Sequence, residues 1–231
     1  MVITIDGPAG AGKSTVARAL AAHLDFDYLD TGAMYRAATW KALSEGAPME
    51  DPPALARLAA QTQIEFESDG DRTRVLCDGK DVTAAIRSPK VTANVFRLAD
   101  DPAVRAALIE QQRRCAQGRN LVTEGRDQGT DAFPGAEVKF YLDASRQVRA
   151  LRRSKDLTAL GMEASLEEVL EQIVERDTQD QRRPVGSLRL AEDMIVIDST
   201  CLTVEQVVAK MAGIVGRRTR ADTQLQTADE D

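Results

Sequence analysis

Residues 7–15 read GPAGAGKST, which places Gly7, Gly12, Lys13 and Ser14 at the spacing G-x-x-x-x-G-K-[ST]. Glycines let the backbone close around phosphate oxygens without Cβ clashes. The N–H groups opening the next helix add positive partial charge. In such a loop the lysine reaches the β and γ phosphates and the hydroxyl serves Mg²⁺. The flanks fit: Val2–Ile5 is a β-branched run that predicts a buried strand, and Thr15–Leu24 predicts a helix. Gly7, Pro8, Ala9, Gly10, Ala11, Gly12, Lys13, Ser14 and Thr15 are therefore expected to hold a nucleoside triphosphate, with Ser14 as the metal ligand. The motif alone does not separate a kinase from an ATPase or a GTPase switch. A GTPase needs D-x-x-G after a strand and an N-K-x-D base motif, and neither is present. His23 is the single histidine and lies on the first helix, so the chemistry has to proceed without a histidine base.

Two groups of arginines follow. Arg149, Arg152 and Arg153 are spaced i, i+3, i+4 and share one helical face, which is either a solvated basic face or a nucleotide-facing one. Farther on, Ser165 and Glu168 form a capping box. Leu166, Val169, Leu170, Ile173 and Val174 make an apolar helical stripe. Continued at the same rhythm, the stripe reaches Arg176, Asp180 and Arg183, so the inward face turns ionic in mid-helix before Pro184 ends it. Buried charges need partners or a bound counter-ion. The residues themselves leave two readings open, an Arg176–Asp180–Arg183 ion-pair network and an anion clamp.

The elements that must position these groups alternate. Candidate strands at 2–6, 26–29, 120–124, 138–142 and 194–198, with helices between them, predict an α/β fold on a five-stranded parallel sheet. The segment 47–119 interrupts the alternation, and QIEFES, DGD and RTRVLC predict a β-hairpin with a second DG turn at Asp78-Gly79. The expected organisation is a core of 1–35, 100–151 and 191–216, an insertion at 36–99, a segment 152–190 carrying the arginine helix, and a disordered tail at 217–231. At 231 residues and 43% apolar the chain sustains one sizeable core. A net charge of −7 argues against general nucleic-acid binding. No apolar run approaches the roughly 18 residues of a membrane span, and the N-terminus enters a strand with no leader-like segment. Cys77, Cys115 and Cys201 are scattered without metal-type spacing, which suggests a reduced, cytoplasmic protein, and a monomer is expected.

Taken together, GPAGAGKST, YLDTGAMYRA, EGRDQGT, VKFYLDAS, ERDTQDQRR and VIDST resemble, in order and spacing, the signature segments of the cytidylate kinases, in the nucleoside monophosphate kinase group. The resemblance runs from residue 1 to about 215, and the insertion with DVTAAIRSPKV is similar to the enlarged monophosphate-binding domain of the bacterial type. It implies a P-loop kinase core with helices on both faces, a monophosphate-binding insertion and a helical lid. The implied reaction is Mg²⁺-assisted transfer from ATP to CMP or dCMP. By matching position, it implies that Thr31, Tyr35 and Arg36 hold the acceptor nucleotide, that Arg105 and Asp127 read its base, and that Arg126 reaches phosphate. Arg176 and Arg183 would clamp phosphates, Asp180 would serve the acceptor sugar, and Arg152 and Arg153 would face ATP. Lys13, Arg126, Arg176 and Arg183 would thus be catalytic. The chain departs from the pattern at Glu124, where the family has aspartate, at Thr31 for serine, and in the turn PVGSL. Phe96 stands where the family has a cytosine-binding serine, a loss of about 1–3 kcal/mol of base selection unless neighbouring Thr92 or Asn94 substitutes. The rival readings are a shifted base preference such as UMP, a P-loop kinase of another small acceptor, and a non-catalytic nucleotide-binding paralogue.

Overall fold

A computed structural model describes residues 1–69, 72–159, 161, 164–183 and 185–228. The tip of the DGD turn (70–71) and Pro184 lie outside the described residues. The chain folds into two compact units.

The first unit comprises residues 1–28, 119–182 and 188–231. It carries β1 (Val2–Asp6), β6 (Leu121–Gly125), β7 (Val138–Asp143) and β8 (Ile195–Asp198). With β2 (Asp27–Asp30), on which the unit boundary falls, they make a five-stranded sheet in the order β2-β6-β1-β7-β8, with helices on both faces. β1 runs parallel to both neighbours, with Ile3 opposite Val122 and Val138, and β8 runs parallel to β7. Ile3, Ile5, Val122, Phe140, Leu142 and Ile197 are buried and form the sheet's contribution to the core. A strand covered on both faces needs such a continuous apolar run, which is why VITI reads as buried rather than alternating. α1 (Lys13–Leu24) supplies Val16, Ala17, Leu20 and Ala21 to this core, and α8 (Val204–Ala228) supplies Val207, Val208, Met211 and Val215. α8 continues to Ala228, well into the segment expected to be a disordered tail, and residues 229–231 lie outside the described residues. After Gly216 the chain contains no glycine or proline, so no residue there breaks the helix.

α6 (Arg146–Ala159) and α7 (Leu166–Arg182) belong to the same unit and pack through Ala150, Leu157, Val169 and Ile173. The α7 capping box forms as its sequence predicts: Ser165 N–H donates to Glu168 Oε2 at 2.8 Å, and Glu168 N–H donates to Ser165 Oγ at 3.2 Å.

The second unit spans 29–118 and 183–187. It contains α2 (Thr31–Ser44), α3 (Pro52–Gln61), α4 (Pro89–Ala99), α5 (Pro102–Ala116) and an antiparallel sheet of β3 (Ile64–Asp69), β4 (Arg72–Cys77) and β5 (Lys80–Asp81). Three of its helices start alike: Asp51, Ser88 and Asp101 cap the first turn with a side-chain oxygen, and a proline follows each. The β4–β5 turn holds Asp78 and Gly79 both at positive φ, the form a DG hairpin turn requires. Trp40, on α2, lies under the Lys80 ammonium at 5.1 Å. The unit is larger than the 36–99 insertion expected from sequence, because α5 packs on α3 and α4; Gln111 on α5 donates its amide to Ala59 O at 2.9 Å. No helix among the described residues is long and apolar enough to cross a membrane.

Candidate active site

The glycine-rich loop lies between β1 and α1, in the first unit. Gly7 and Gly10 are both at positive φ. A Cβ on Gly7 would come within 2.0 Å of Leu142 O, and one on Gly10 within 3.1 Å of Arg149, so close approach to β7 and α6 requires glycine at both positions. Lys13 Nζ is buried and donates to Pro8 O at 2.9 Å. Burial, reinforced by the Arg126 guanidinium, pushes the Lys13 ammonium down to about 7.

Acidic groups end the strands on either side. Ser14 Oγ donates to Glu124 Oε1 at 2.8 Å, bringing the loop hydroxyl to the end of β6. Asp6, at the end of β1, is fully buried and accepts from Gln128 N–H at 2.9 Å and Gly129 N–H at 2.7 Å. Burial lifts its carboxyl to about 6 against those two donors. Those amides open a single π-type turn, Gln128–Ala132, immediately after Asp127. A Cβ on Gly129 would meet Thr4 Oγ1 at 2.8 Å, so the turn can close on β1 only with glycine there. Sequence reasoning passed over Asp6, although a lone carboxylate ending an apolar strand just before the loop was a readable signal.

Arg126 donates through Nε to Asp180 Oδ2 at 2.6 Å. Burial opposes the guanidinium charge, and the Asp180 carboxylate more than compensates, holding the group above its ordinary value. The buried stripe of α7 runs Val169, Ile173, Asp177, Asp180. It turns ionic as expected, but through Asp177 rather than Arg176, which is exposed. The rhythm of three or four residues from Ile173 permits either position, and the carboxylate takes the inward one because a buried cation awaits it. Asp177 Oδ2 pairs with the buried Arg149 at 2.7 Å.

α6 places its arginines unequally. Arg149 and Arg152 donate to backbone carbonyls of the glycine-rich loop, whereas Arg153 is exposed.

In the second unit, Thr31 and Tyr35 are buried on α2, and Arg36, also on α2, donates to Thr92 Oγ1 on α4 at 2.9 Å. Arg105 on α5 is buried, stacks on the Tyr35 ring at 5.5 Å and donates to Ala99 O at 2.9 Å. A Cβ on Gly186 would come within 2.0 Å of the Arg105 guanidinium, which explains the glycine in the turn PVGSL. Arg183 follows the last residue of α7 and donates to Asp100 at 2.6 Å. Phe96 is 49% exposed on α4, one helical turn after Thr92 and so on the same face. Arg105, Tyr35, Arg36 and Thr92 thus gather in one unit, and Lys13, Ser14, Glu124, Arg126, Asp127, Arg176 and Asp180 in the other.

The family model for cytidylate kinase matches residues 3–217. The chain belongs to the cytidylate kinase family. A cytidylate kinase from Rhodopirellula baltica is 45% identical over 215 residues, spanning 93% of this chain and 92% of its own length. A cytidylate kinase from Carboxydothermus hydrogenoformans is 47% identical over 218 residues, spanning 94% and 98%. Among solved structures, a shikimate kinase from Bacteroides thetaiotaomicron superposes with a TM-score of 0.50 over 94% of this chain and 98% of its own, at 10% identity, a likeness of fold alone. The cytidylate kinase match runs through both units.

Proposed function

We infer that this chain transfers the γ-phosphoryl group of ATP to CMP or dCMP, forming ADP and CDP or dCDP. The observation that carries the reading is the cluster at the ends of β1 and β6, where Lys13 on the glycine-rich loop lies near Arg126, itself held by Asp180.

The nucleophile is a phosphate oxygen of the monophosphate, already anionic at neutral pH, so no general base is required. An oxygen–phosphorus bond forms to the γ-phosphorus as the bond to the β,γ-bridging oxygen breaks, and ADP leaves with that electron pair. Such a transfer needs alignment and charge neutralisation. The loop amides and Lys13 hold the donor phosphates. Arg126, on its Asp180 mount, together with Arg176, meets charge as it moves between donor and acceptor, through donors fixed in advance. Arg36 and Arg183 take the acceptor phosphate in the forked geometry that lysine lacks, and Thr31 and Tyr35 line its nucleotide. Arg105 supplies a donor to the base, and Asp127 an acceptor for the exocyclic amino group of cytosine. Uracil lacks that amino group and would leave Asp127 unpaired, so CMP is favoured over UMP. Arg153, exposed on α6, is the remaining candidate for ATP.

Mg²⁺ fits the donor set. It takes hard oxygen ligands with several waters, and Ser14 Oγ with the Glu124 carboxylate, 2.8 Å apart, offers a hydroxyl and an acid. When bound, the ion neutralises phosphate charge. Glu124 is longer by one methylene than the family's aspartate, and its bond to Ser14 shows that the added reach still meets the loop.

The test is ADP release from Mg·ATP with CMP, dCMP, UMP, AMP, GMP or no acceptor. Turnover with CMP and dCMP alone is expected. Preference for UMP would overturn the base-reading roles of Arg105 and Asp127. Hydrolysis without transfer would overturn the kinase reading.

A further inference from the structure

Two arginines of α6, Arg149 and Arg152, reach carbonyls of the glycine-rich loop. Arg149 Nη1 donates to Ala9 O at 2.9 Å, while its Nε donates to Ala144 O at 3.0 Å and Asp177 takes its charge at 2.7 Å. Arg152 Nη1 donates to Ala11 O at 3.1 Å and to Ser199 Oγ at 3.1 Å, and its Nη2 donates to Ser199 O at 2.8 Å. Ser199, buried at the end of β8, also donates through its hydroxyl to Asp143 O at 3.0 Å. Each guanidinium is thus anchored to the residue that follows a strand, Ala144 after β7 or Ser199 after β8, and grips one alternate carbonyl of the loop.

A trans peptide is planar, so its carbonyl and the N–H of the next residue point in opposite directions. The chain has no cis peptide bond among its described residues. Fixing Ala9 O therefore fixes the Gly10 N–H on the opposite side, and fixing Ala11 O does the same for Gly12. Gly10 and Gly12 are at φ +76 and +90, with no Cβ to restrict these planes, so something else has to set them.

We propose that Arg149 and Arg152 are positioning residues that strap the Ala9 and Ala11 carbonyls and so aim the Gly10 and Gly12 amides at phosphate, without themselves touching ATP. The assignment rests on the reading of the loop as a phosphate cradle but not on the identity of the acceptor. It makes Arg152 act on the nucleotide through a peptide plane, in place of the direct contact that family resemblance implies. Asp177, with no assigned role in the sequence reading, becomes the counter-charge that holds Arg149 in place.

The chain contains three Ala–Gly junctions, Ala9–Gly10, Ala11–Gly12 and Ala212–Gly213. Labelling alanine carbonyls with ¹³C and glycine amides with ¹⁵N therefore isolates the two strapped amides and one control in α8. In the enzyme without nucleotide, Arg152→Ala should shift or broaden the Gly12 amide, Asp177→Asn should do so for Gly10, and Gly213 should keep its position. Both variants should raise KM for ATP by about tenfold or more, with KM for CMP and the unfolding midpoint much less affected. If Arg152→Ala disturbs Gly213 as well, Arg152→Lys, which keeps the charge but lacks the planar fork, decides the matter by the same Gly12 readout. Unmoved Gly10 and Gly12 amides in nucleotide-free variants would overturn the proposal: with a raised KM for ATP they would indicate direct contact, with an unchanged KM no role at all. Failure to phosphorylate CMP would leave the amide result standing and count only against the proposed reaction.

Discussion

Lys13 shows how a single buried cation connects the loop to pH. Its folded value, about 7, lies below the 10.5 of the free side chain, so between those values the unfolded chain holds more protons. Stability from this group therefore rises as pH increases through that window. Anionic phosphates set against the ammonium reverse the effect of burial. ADP binding at pH 8 should take up close to one proton, measured by calorimetry in two buffers of different ionisation enthalpy; the uptake should fade by pH 6 and be absent in Lys13→Arg. A second residue-scale prediction concerns Gly186, whose φ of +68 and contact with Arg105 leave no room for a methyl group. Gly186→Ala should raise KM for CMP about tenfold, in line with an overpacking cost of about 1–3 kcal/mol, with KM for ATP unchanged. The glycine-rich loop between β1 and α1 was legible as a loop, because backbone geometry dictates both the type and the spacing of its glycines. Gly186 was read only as part of the turn PVGSL, since its reason is a guanidinium some eighty positions away in the chain that no local pattern discloses.

At the scale of elements, α7 is the informative case. Its cap was readable from sequence, and so was the change from aliphatic to ionic, but the apolar stripe is narrower than expected: Val169 and Ile173 are buried, whereas Leu166 and Val174 are exposed. The identity of the inward charge was not, because Arg176 and Asp177 lie within one helical step and only the position of Arg149 on α6 decides between them. The Arg126–Asp180 pair is largely buried, with Asp180 2% and Arg126 18% exposed. Removing one partner leaves an uncompensated charge, so Asp180→Ala should cost about 3–5 kcal/mol in denaturant unfolding. The double variant Arg126→Met/Asp180→Leu should recover most of that stability and none of the activity, which would mark the pair as retained for phosphate chemistry. On α4, Phe96 shares a face with Thr92, the partner of Arg36. Phe96→Ser should improve the CMP-over-UMP ratio of kcat/KM by about tenfold, the worth of one added hydrogen bond in a polar site.

At the scale of the whole chain, alternation of strands and helices disclosed the parallel sheet, and the hairpin signals disclosed the smaller antiparallel one. The division into units was less legible. α5 follows the insertion in sequence and reads like any core helix, yet its Gln111 and its contacts with α3 and α4 assign it to the second unit. That division also determines what light can report. Trp40, the only indole in the chain, sits on α2 in the second unit beneath the Lys80 ammonium. Its emission therefore watches one unit by itself, and no indole in the first unit reports on the loop, its straps or the sheet. Dichroism, by contrast, sums the helices of both. A denaturation curve traced by fluorescence should accordingly be treated as the curve of residues 29–118 and 183–187, and the unit that carries the glycine-rich loop would need a tryptophan of its own before it could be followed in the same way.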